Sequence, residues 1–184
     1  GRIIDALVSV AIEAMGMKPL QEITEKLTAD QRQKVIEALI RVQSNRTSFD
    51  EFLAAEKIYS NETDSFKDRF FSLRYYFSVR SAKQKLEAKM KYRKARSELL
   101  LVDLAVRNFQ EDENHPPKSL TELAPKYLPF LPKDSFSGND FIYLPQSNSF
   151  TLYSIGPDGK DDGGTPIVLK GDVWPGDMLP NSGY

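Results

Sequence analysis

The chain of 184 residues contains no cysteine. Disulfide bonds, thiolate metal sites and cysteine nucleophiles are therefore excluded, although this absence fits the periplasm and the cytosol equally well. The single histidine, His115, lies beside Pro116, where we expect it to cap a helix end or face solvent, because a zinc site or catalytic triad needs more partners. The net charge of −1 provides no bulk field for nucleic acid, so no nucleic-acid partner is expected.

Long apolar runs are also missing. No stretch approaches the roughly 18 uncharged apolar residues that a membrane-spanning helix needs. The phosphate-binding lysine loop, the Gly-x-Ser-x-Gly turn and the dinucleotide fingerprint are absent, so the sequence predicts a protein that is not an enzyme. The abrupt start at Gly1, directly before an apolar pattern, fits a chain that lacks an upstream anchor. We expect contact with a membrane only through such an anchor.

Proline and glycine are scarce in the first part of the chain. Of 11 prolines only Pro19 precedes Pro116, and the change in composition near Pro116 indicates a change in architecture. Apolar residues at helical spacing predict a helix over residues 2–15. Gly16 is expected to end this helix, and Pro19 to prevent its resumption.

Capping boxes predict two further helices in this part. Thr28 with Gln31 predicts a helix over about residues 29–44, and Ser48 with Glu51 predicts another that follows it. Three helices joined by short connections indicate a small N-terminal helical bundle.

Residues 64–113 contain neither glycine nor proline. One helix of this length would extend for about 75 Å, which is long for a compact domain. We therefore expect a break at residues 78–81, where the β-branched Val79 lies between serines.

The remainder of the chain has turn-rich and β-type patterns. A capping box of Ser119 and Glu122 predicts a short helix. Aromatic and apolar runs at residues 141–144 and 150–155 predict a β-hairpin. Residues 167–169 predict a further strand, and the tail that follows is expected to form a loop.

A glycine-rich loop follows the predicted hairpin. Residues 156–164 place Asp158, Asp161 and Asp162 among four glycines. Clustered carboxylates repel one another unless a cation or solvent screens them, and Ca²⁺ binds carboxylate and carbonyl oxygens. An ordinary surface turn is the other interpretation, because Asp-Gly sequences favour turns. An EF-hand is excluded, since Lys160 stands at a ligand position and no glutamate closes the loop.

Several motifs occur in a fixed order from the end of the long helix onward. They are Leu104-Ala105-Val106-Arg107-Asn108-Phe109, His115-Pro116-Pro117, Ser119-Leu120-Thr121-Glu122-Leu123, Tyr127-Leu128-Pro129, Leu131-Pro132-Lys133-Asp134, Phe136-Ser137-Gly138, Phe141-Ile142-Tyr143 and Leu152-Tyr153-Ser154-Ile155-Gly156-Pro157-Asp158-Gly159. In this order they resemble the globular half of type II secretion major pseudopilins, protein G of the general secretion pathway. The sequence is also similar to bacterial proteins in which this module follows a helical region. The resemblance covers residues 99–177.

The resemblance implies a long helix packed on a small antiparallel sheet and a calcium ion in the loop after the last hairpin strand. It implies that backbone carbonyls of the strand end also bind the ion. Carried over by position, the implied metal-site residues are Asp158, Asp161, Asp162, Asp172, Leu152 and Ser154. The helix with which pseudopilins begin, and which forms the filament core, has no counterpart here, so the resemblance does not imply filament assembly.

Taken together, the sequence predicts an α+β chain with an N-terminal helical bundle and a long helix on a three-stranded antiparallel sheet. We divide it into a helical region, residues 1–80, and a pseudopilin-like module, residues 81–184. The expected function is that of a non-enzymatic, periplasmic or otherwise extracytoplasmic calcium-binding protein with a structural or interaction role and protein partners. The alternative is a protein- or peptide-binding module that uses the helical region and has no role in secretion.

Overall fold

The structure, a computed structural model, describes residues 16–44, 54, 72–168 and 176–180. The predicted helix at residues 2–15 and the candidate ligand Asp172 lie outside this part of the chain. The predicted helix after Ser48 also lies outside it, except for residue 54. No helix within the described residues is long and apolar enough to cross a membrane.

The first described elements are helical. Residues 16–23 are α-helical, Thr24–Lys26 form a 3₁₀ turn, and helix α1 runs over Ala29–Ser44. The expectation that Pro19 prevents a helix from resuming was wrong, whereas the helix expected to end at Gly16 lies outside the described residues. Proline removes one N–H donor and can kink a helix, but its fixed φ angle is compatible with helical backbone.

The capping box at the start of α1 is confirmed. The backbone N–H of Gln31 donates to the Thr28 hydroxyl at 3.3 Å, and the backbone N–H of Thr28 donates to the Gln31 side chain at 2.9 Å. These reciprocal bonds satisfy donors that a helix start otherwise leaves free, which explains why the helix begins at this point.

Helix α2 runs without interruption over Ser72–Glu113 and is 42 residues long. The predicted break at residues 78–81 was therefore wrong. A single β-branched residue costs a helix only about 0.5 kcal/mol, and neither glycine nor proline occurs there to end it. Such a helix extends for about 63 Å, so only part of its length can be covered by the rest of the chain.

A small antiparallel sheet follows α2. The capping box at Ser119 opens a short 3₁₀ helix, Leu120–Leu123. Strands β1 (Ile142–Pro145) and β2 (Phe150–Tyr153) form the predicted hairpin, with Tyr143 opposite Leu152.

A third strand is not shown in the described residues, and the expected strand at residues 167–169 lies only partly within them. Isolated bridges occur instead, between Ser154 and Met178 and between Pro166 and Asp177. Within the described part of the expected strand, Ile167 is buried and donates its N–H to the carbonyl oxygen of Asp177 at 3.1 Å, whereas Val168 is exposed. Helices together with a two-stranded sheet nevertheless confirm the α+β class.

The core lies around the middle of α2, where residues 95–106 are all buried. Ile36 and Leu39 of α1 belong to the same apolar cluster, as do Leu152 of β2 and Met178. The helical residues and the sheet therefore share one core in the described part of the chain. The division at residues 80 and 81 stays a prediction, and α2 runs across it.

A buried arginine links α1 to the C-terminal half of α2. Arg32 is 6% exposed, and its Nε donates to Asn108 Oδ1 at 2.6 Å. Its guanidinium also pairs with Glu111 and donates to the carbonyl oxygen of Leu27 at 2.5 Å. The guanidinium is thus bonded on several sides, which compensates for its burial.

Candidate metal site

The end of strand β2 positions the glycine-rich loop, residues 156–164. Gly156 opens the loop with φ +69°, and a Cβ at this position would overlap the carbonyl oxygen of Gly176. This close approach of two backbone segments explains why glycine stands there. It also places the loop against residues 176–180, which we call the C-terminal segment.

Two of the loop carboxylates fold back onto their own backbone. Asp158 Oδ1 accepts the N–H of Lys160 at 3.2 Å, and Asp161 Oδ1 accepts the N–H of Gly163 at 3.0 Å. These are Asx turns, in which aspartate orders a loop locally. Asp158 Oδ2 also accepts the N–H of Gly176 at 3.4 Å, so this carboxylate faces the C-terminal segment.

Tyr153 connects the strand to the loop. Its hydroxyl donates to Asp161 Oδ1 at 2.9 Å. Burial, the hydrogen bond to Asp161 and the charges of Asp161 and Asp177 together raise the pKa of Tyr153 to about 12. The phenol is therefore neutral and available as a donor at physiological pH.

The two predicted ligands on and after β2 contribute in a limited way. The Leu152 side chain is buried in the core. The Ser154 hydroxyl donates to Asp134 Oδ1 at 2.8 Å, so it is committed away from the loop. The Ser154 carbonyl accepts the N–H of Met178 at 2.9 Å. Only backbone carbonyl oxygens of these residues are therefore candidates for a cation.

Asp162 and Asp161 are exposed, whereas Asp158 is half-buried. The carbonyl oxygen of Asp162 accepts the hydroxyl of Thr165 at 2.7 Å. This bond does not use the Asp162 carboxylate.

Sequence reasoning missed the most unusual carboxylate, Asp177. Its side chain is 0% exposed. Oδ2 accepts the N–H of Gly164 at 2.7 Å, whereas Oδ1 is buried and has no hydrogen-bond partner among the described residues. In the sequence this residue lay in a tail assigned to loop, and the preceding Gly176 was the only sign of a close backbone approach.

The electrostatic setting of Asp177 is unfavourable for a charge. Burial raises the pKa of its carboxyl group, and the nearby charges of Asp161 and Asp162 raise it as well. The N–H of Gly164 lowers it in part. The backbone N–H of Asp162 acts in the same direction. In the described part of the chain, no lysine or arginine forms an ion pair with these aspartates.

The fit of this site to calcium rests on the orphaned Oδ1 of Asp177. Within the described ranges, no three Asp, Glu or His side chains converge as a ready-made metal-binding group. Calcium also binds backbone carbonyls and water, so a complete set of side chains is unnecessary. A buried carboxylate oxygen without a donor needs an explanation, and a cation at this position would provide one.

A second buried carboxylate, Asp134, supports the same hairpin end. It is 1% exposed, and its two oxygens accept bonds from four donors. The donors are the N–H of Phe136 at 2.9 Å, the N–H of Ile155 at 3.3 Å, the hydroxyl of Ser137 at 3.2 Å and the hydroxyl of Ser154 at 2.8 Å. Asp134 therefore holds the turn after residue 134 against the strand that leads into the loop.

Comparisons of the chain with family models, with curated proteins and with solved structures found no match. The likeness to type II secretion pseudopilins therefore stays a prediction that rests on the motifs of the chain. The geometry of the loop and of Asp177 is independent of that likeness, because it follows from contacts within the structure.

Proposed function

We propose that this protein is a calcium-binding, extracytoplasmic structural or interaction protein without catalytic activity, related to the type II secretion pseudopilins. The observation that carries the calcium part is the buried Oδ1 of Asp177, which has no partner beside a glycine-rich loop with three further aspartates. A divalent cation would complete its coordination and screen the repulsion among the carboxylates.

The ligand set is derived from the residues around the loop. Asp177 supplies the buried oxygen, and Asp158, Asp161 and Asp162 supply carboxylates at its open side. Carbonyls of Leu152 and Ser154, water, and Asp172 in the flanking segment complete the proposed set. Calcium modules outside cells bind with dissociation constants of about 10⁻⁴–10⁻³ M, which suits an extracytoplasmic setting where calcium is abundant.

A structural or interaction role is supported by the packing of helix α1 into the core. Ile36 is 1% exposed and Leu39 is 8% exposed, since both pack against α2. The apolar face of α1 is thus occupied within the chain, which disfavours the alternative of a peptide-binding groove on that face. We propose that the surface around the calcium loop, together with the helices, contacts protein partners.

Calorimetry and thermal melts test the calcium proposal. With calcium at about 100 times its dissociation constant, binding to the folded chain alone adds about 2.7 kcal/mol to the free energy of unfolding. We expect a higher melting temperature in calcium than in EGTA, and a smaller rise for the Asp158→Asn variant. Asp140→Asn is the control, because Asp140 is exposed and pairs with Lys133. No heat of binding and equal melting temperatures at millimolar calcium would contradict the proposal.

A further inference from the structure

The C-terminal segment is held to the hairpin by backbone hydrogen bonds. Met178 and Ser154 exchange two of them, at 3.0 and 2.9 Å. The N–H of Asp177 donates to the carbonyl oxygen of Thr165 at 2.6 Å. The residue that carries the orphaned carboxylate oxygen is therefore fixed within a segment that bridges the strand end and the end of the glycine-rich loop.

The same segment also contacts the helical residues near the start of the described chain. The side-chain amide of Gln21 donates to the carbonyl oxygen of Pro180. The Gln21 side-chain oxygen in turn accepts from the Arg96 guanidinium, whose Nε lies 3.0 Å away. Gln21 is 4% exposed and Arg96 is 3% exposed, so this contact is buried. Met178 and Met17 belong to one apolar cluster beside it.

The C-terminal segment is thus placed between the candidate metal site and helical residues 16–23. One of its residues, Asp177, faces the loop, and another, Pro180, accepts a hydrogen bond from the helical residues. Because only two residues separate them, a change in how firmly Asp177 is held is transmitted over a short length of chain.

We infer that Asp177 is a direct ligand of the calcium ion and that calcium thereby controls the docking of the C-terminal segment against residues 16–23. This inference rests on the proposed function, because it needs a cation at the loop. It adds a ligand from outside the loop and a consequence for the helical region, which the loop alone would not produce.

The direction of the effect follows from charge. Asp177 lies near the like charges of Asp161 and Asp162, and a bound cation would screen the repulsion that opposes docking of the segment. With a cation, the three carboxylates are attracted to a common centre. Asp177 reaches that centre from the docked segment. The docked backbone packs closely, since a Cβ on Gly176 would stand only 2.8 Å from the carbonyl oxygen of Pro166.

Amide hydrogen exchange of the whole chain, followed by mass spectrometry, tests the coupling. The probe is Ca²⁺ itself, compared with EGTA. We expect calcium to slow exchange at least about tenfold in peptides that cover residues 16–23 and 176–180, because local opening becomes rarer. A peptide from the interior of α1, which contacts α2 and not the C-terminal segment, serves as the internal control and should change little.

Two variants separate the steps. Asp177→Asn keeps an acceptor for the N–H of Gly164 but removes the charge, and we expect its calcium affinity to fall at least about 100-fold with loss of the protection. Asp140→Asn should bind calcium as the original chain does. Gln21→Met removes the bonds to Pro180 and to the Arg96 guanidinium. It should retain calcium binding and protection at residues 176–180 while losing protection at residues 16–23.

The outcomes distinguish this inference from the proposed function. If calorimetry detects no calcium binding to the original chain, both are wrong. If calcium binds and Asp177→Asn binds it equally well, Asp177 is not a ligand and the inference fails alone. If calcium binds but protects only residues 152–165 in the original chain, docking is not calcium-dependent. That last comparison needs no variant, so it decides the question even if Asp177→Asn folds poorly.

Discussion

Two buried carboxylates in the same module differ in how they are satisfied. Asp134 is 1% exposed and receives four hydrogen bonds from its own turn and from the strand end. Asp177 is 0% exposed and receives one, from Gly164, while its other oxygen has no partner. Burial is therefore the same for the two groups, but the chain supplies complete coordination for only one of them.

The difference shows that burial of an aspartate does not by itself define its role. A carboxylate bonded by neutral donors on both oxygens is a structural element of the turn that surrounds it. A carboxylate with an unbonded buried oxygen, near two like charges, is satisfied only when a proton, a donor or a cation binds that oxygen. The contrast separates a turn that is self-sufficient from a carboxylate with one oxygen left unbonded by the described residues, where we propose a cation.

The largest expected effect comes from replacing each of these aspartates by asparagine in EGTA. In Asp134→Asn, the new amide group faces donors such as the N–H of Ile155, and we expect a loss of about 3 kcal/mol in the free energy of unfolding. In Asp177→Asn, a buried charge is removed while the bond to Gly164 can remain, so the change should stay below about 1 kcal/mol in either direction. Urea denaturation measures both values.

Repeating the measurements in calcium sharpens the comparison between Asp134→Asn and Asp177→Asn. The loss in Asp134→Asn should be equal with calcium and with EGTA, because Asp134 is not a proposed ligand. The stability of Asp177→Asn should no longer respond to calcium. Equal losses for the two variants in EGTA would show that Asp177 is as fully satisfied as Asp134, and the comparison would fail.

The helical half shows which features sequence predicts well. The Thr28–Gln31 capping box and helix α1 were predicted correctly, because the signals lie within four consecutive residues. The break expected in α2 at residues 78–81 is not present. The expectation came from the usual size of compact domains, although the residues at this point disfavour a helix only weakly. A helix of 42 residues can instead extend beyond the core that covers its middle.

The candidate site was less predictable. The loop aspartates could be found because they are close together in sequence. Asp177 could not, because its burial depends on packing against Gly164 and Gly156, which are distant along the chain. Ser154 was assigned to the site, but its hydroxyl is bonded to Asp134. Long-range backbone contacts of this kind carry no local periodicity.

A glycine pair gives the next largest effect. In Gly156→Ala the new Cβ would meet the backbone of Gly176, and its φ is +69°. We expect a loss of about 3 kcal/mol from overlap and backbone strain together. Gly159→Ala is the matched control, since Gly159 has φ +71° but no atom within 4 Å of an added Cβ.

The control variant should lose only about 1 kcal/mol, which is the cost of a positive φ for alanine. Thermal or urea unfolding in EGTA measures the difference between the two glycines. A similar loss at both positions would mean that the loop does not pack on the C-terminal segment. The site around Asp177 would then not be assembled as described.

The smallest expected effect is at Tyr153, and it tests whether Asp161 shares the site with Asp177. Tyr153→Phe removes the bond to Asp161, and we expect a loss of about 1 kcal/mol at pH 8. The phenol has a pKa near 10.0 when unfolded and about 12 in the folded chain. The unfolded chain therefore ionises first, and the stability that the neutral hydroxyl contributes is lost as the pH rises from 10 to 12.

The gap in stability between Tyr153→Phe and the original chain should accordingly narrow over this pH window. Tyr143→Phe is the matched control: burial also raises the pKa of Tyr143 to about 12, but its hydroxyl donates to the Pro117 carbonyl. A calcium ion bound by Asp161 would favour the Tyr153 phenolate and lower its pKa in the folded chain, so the narrowing should be smaller and end at lower pH in calcium than in EGTA. Tyr143→Phe should show the same profile in both. An identical profile for Tyr153→Phe with and without bound calcium would place the cation away from Asp161, and Asp177 would then bind it without that residue.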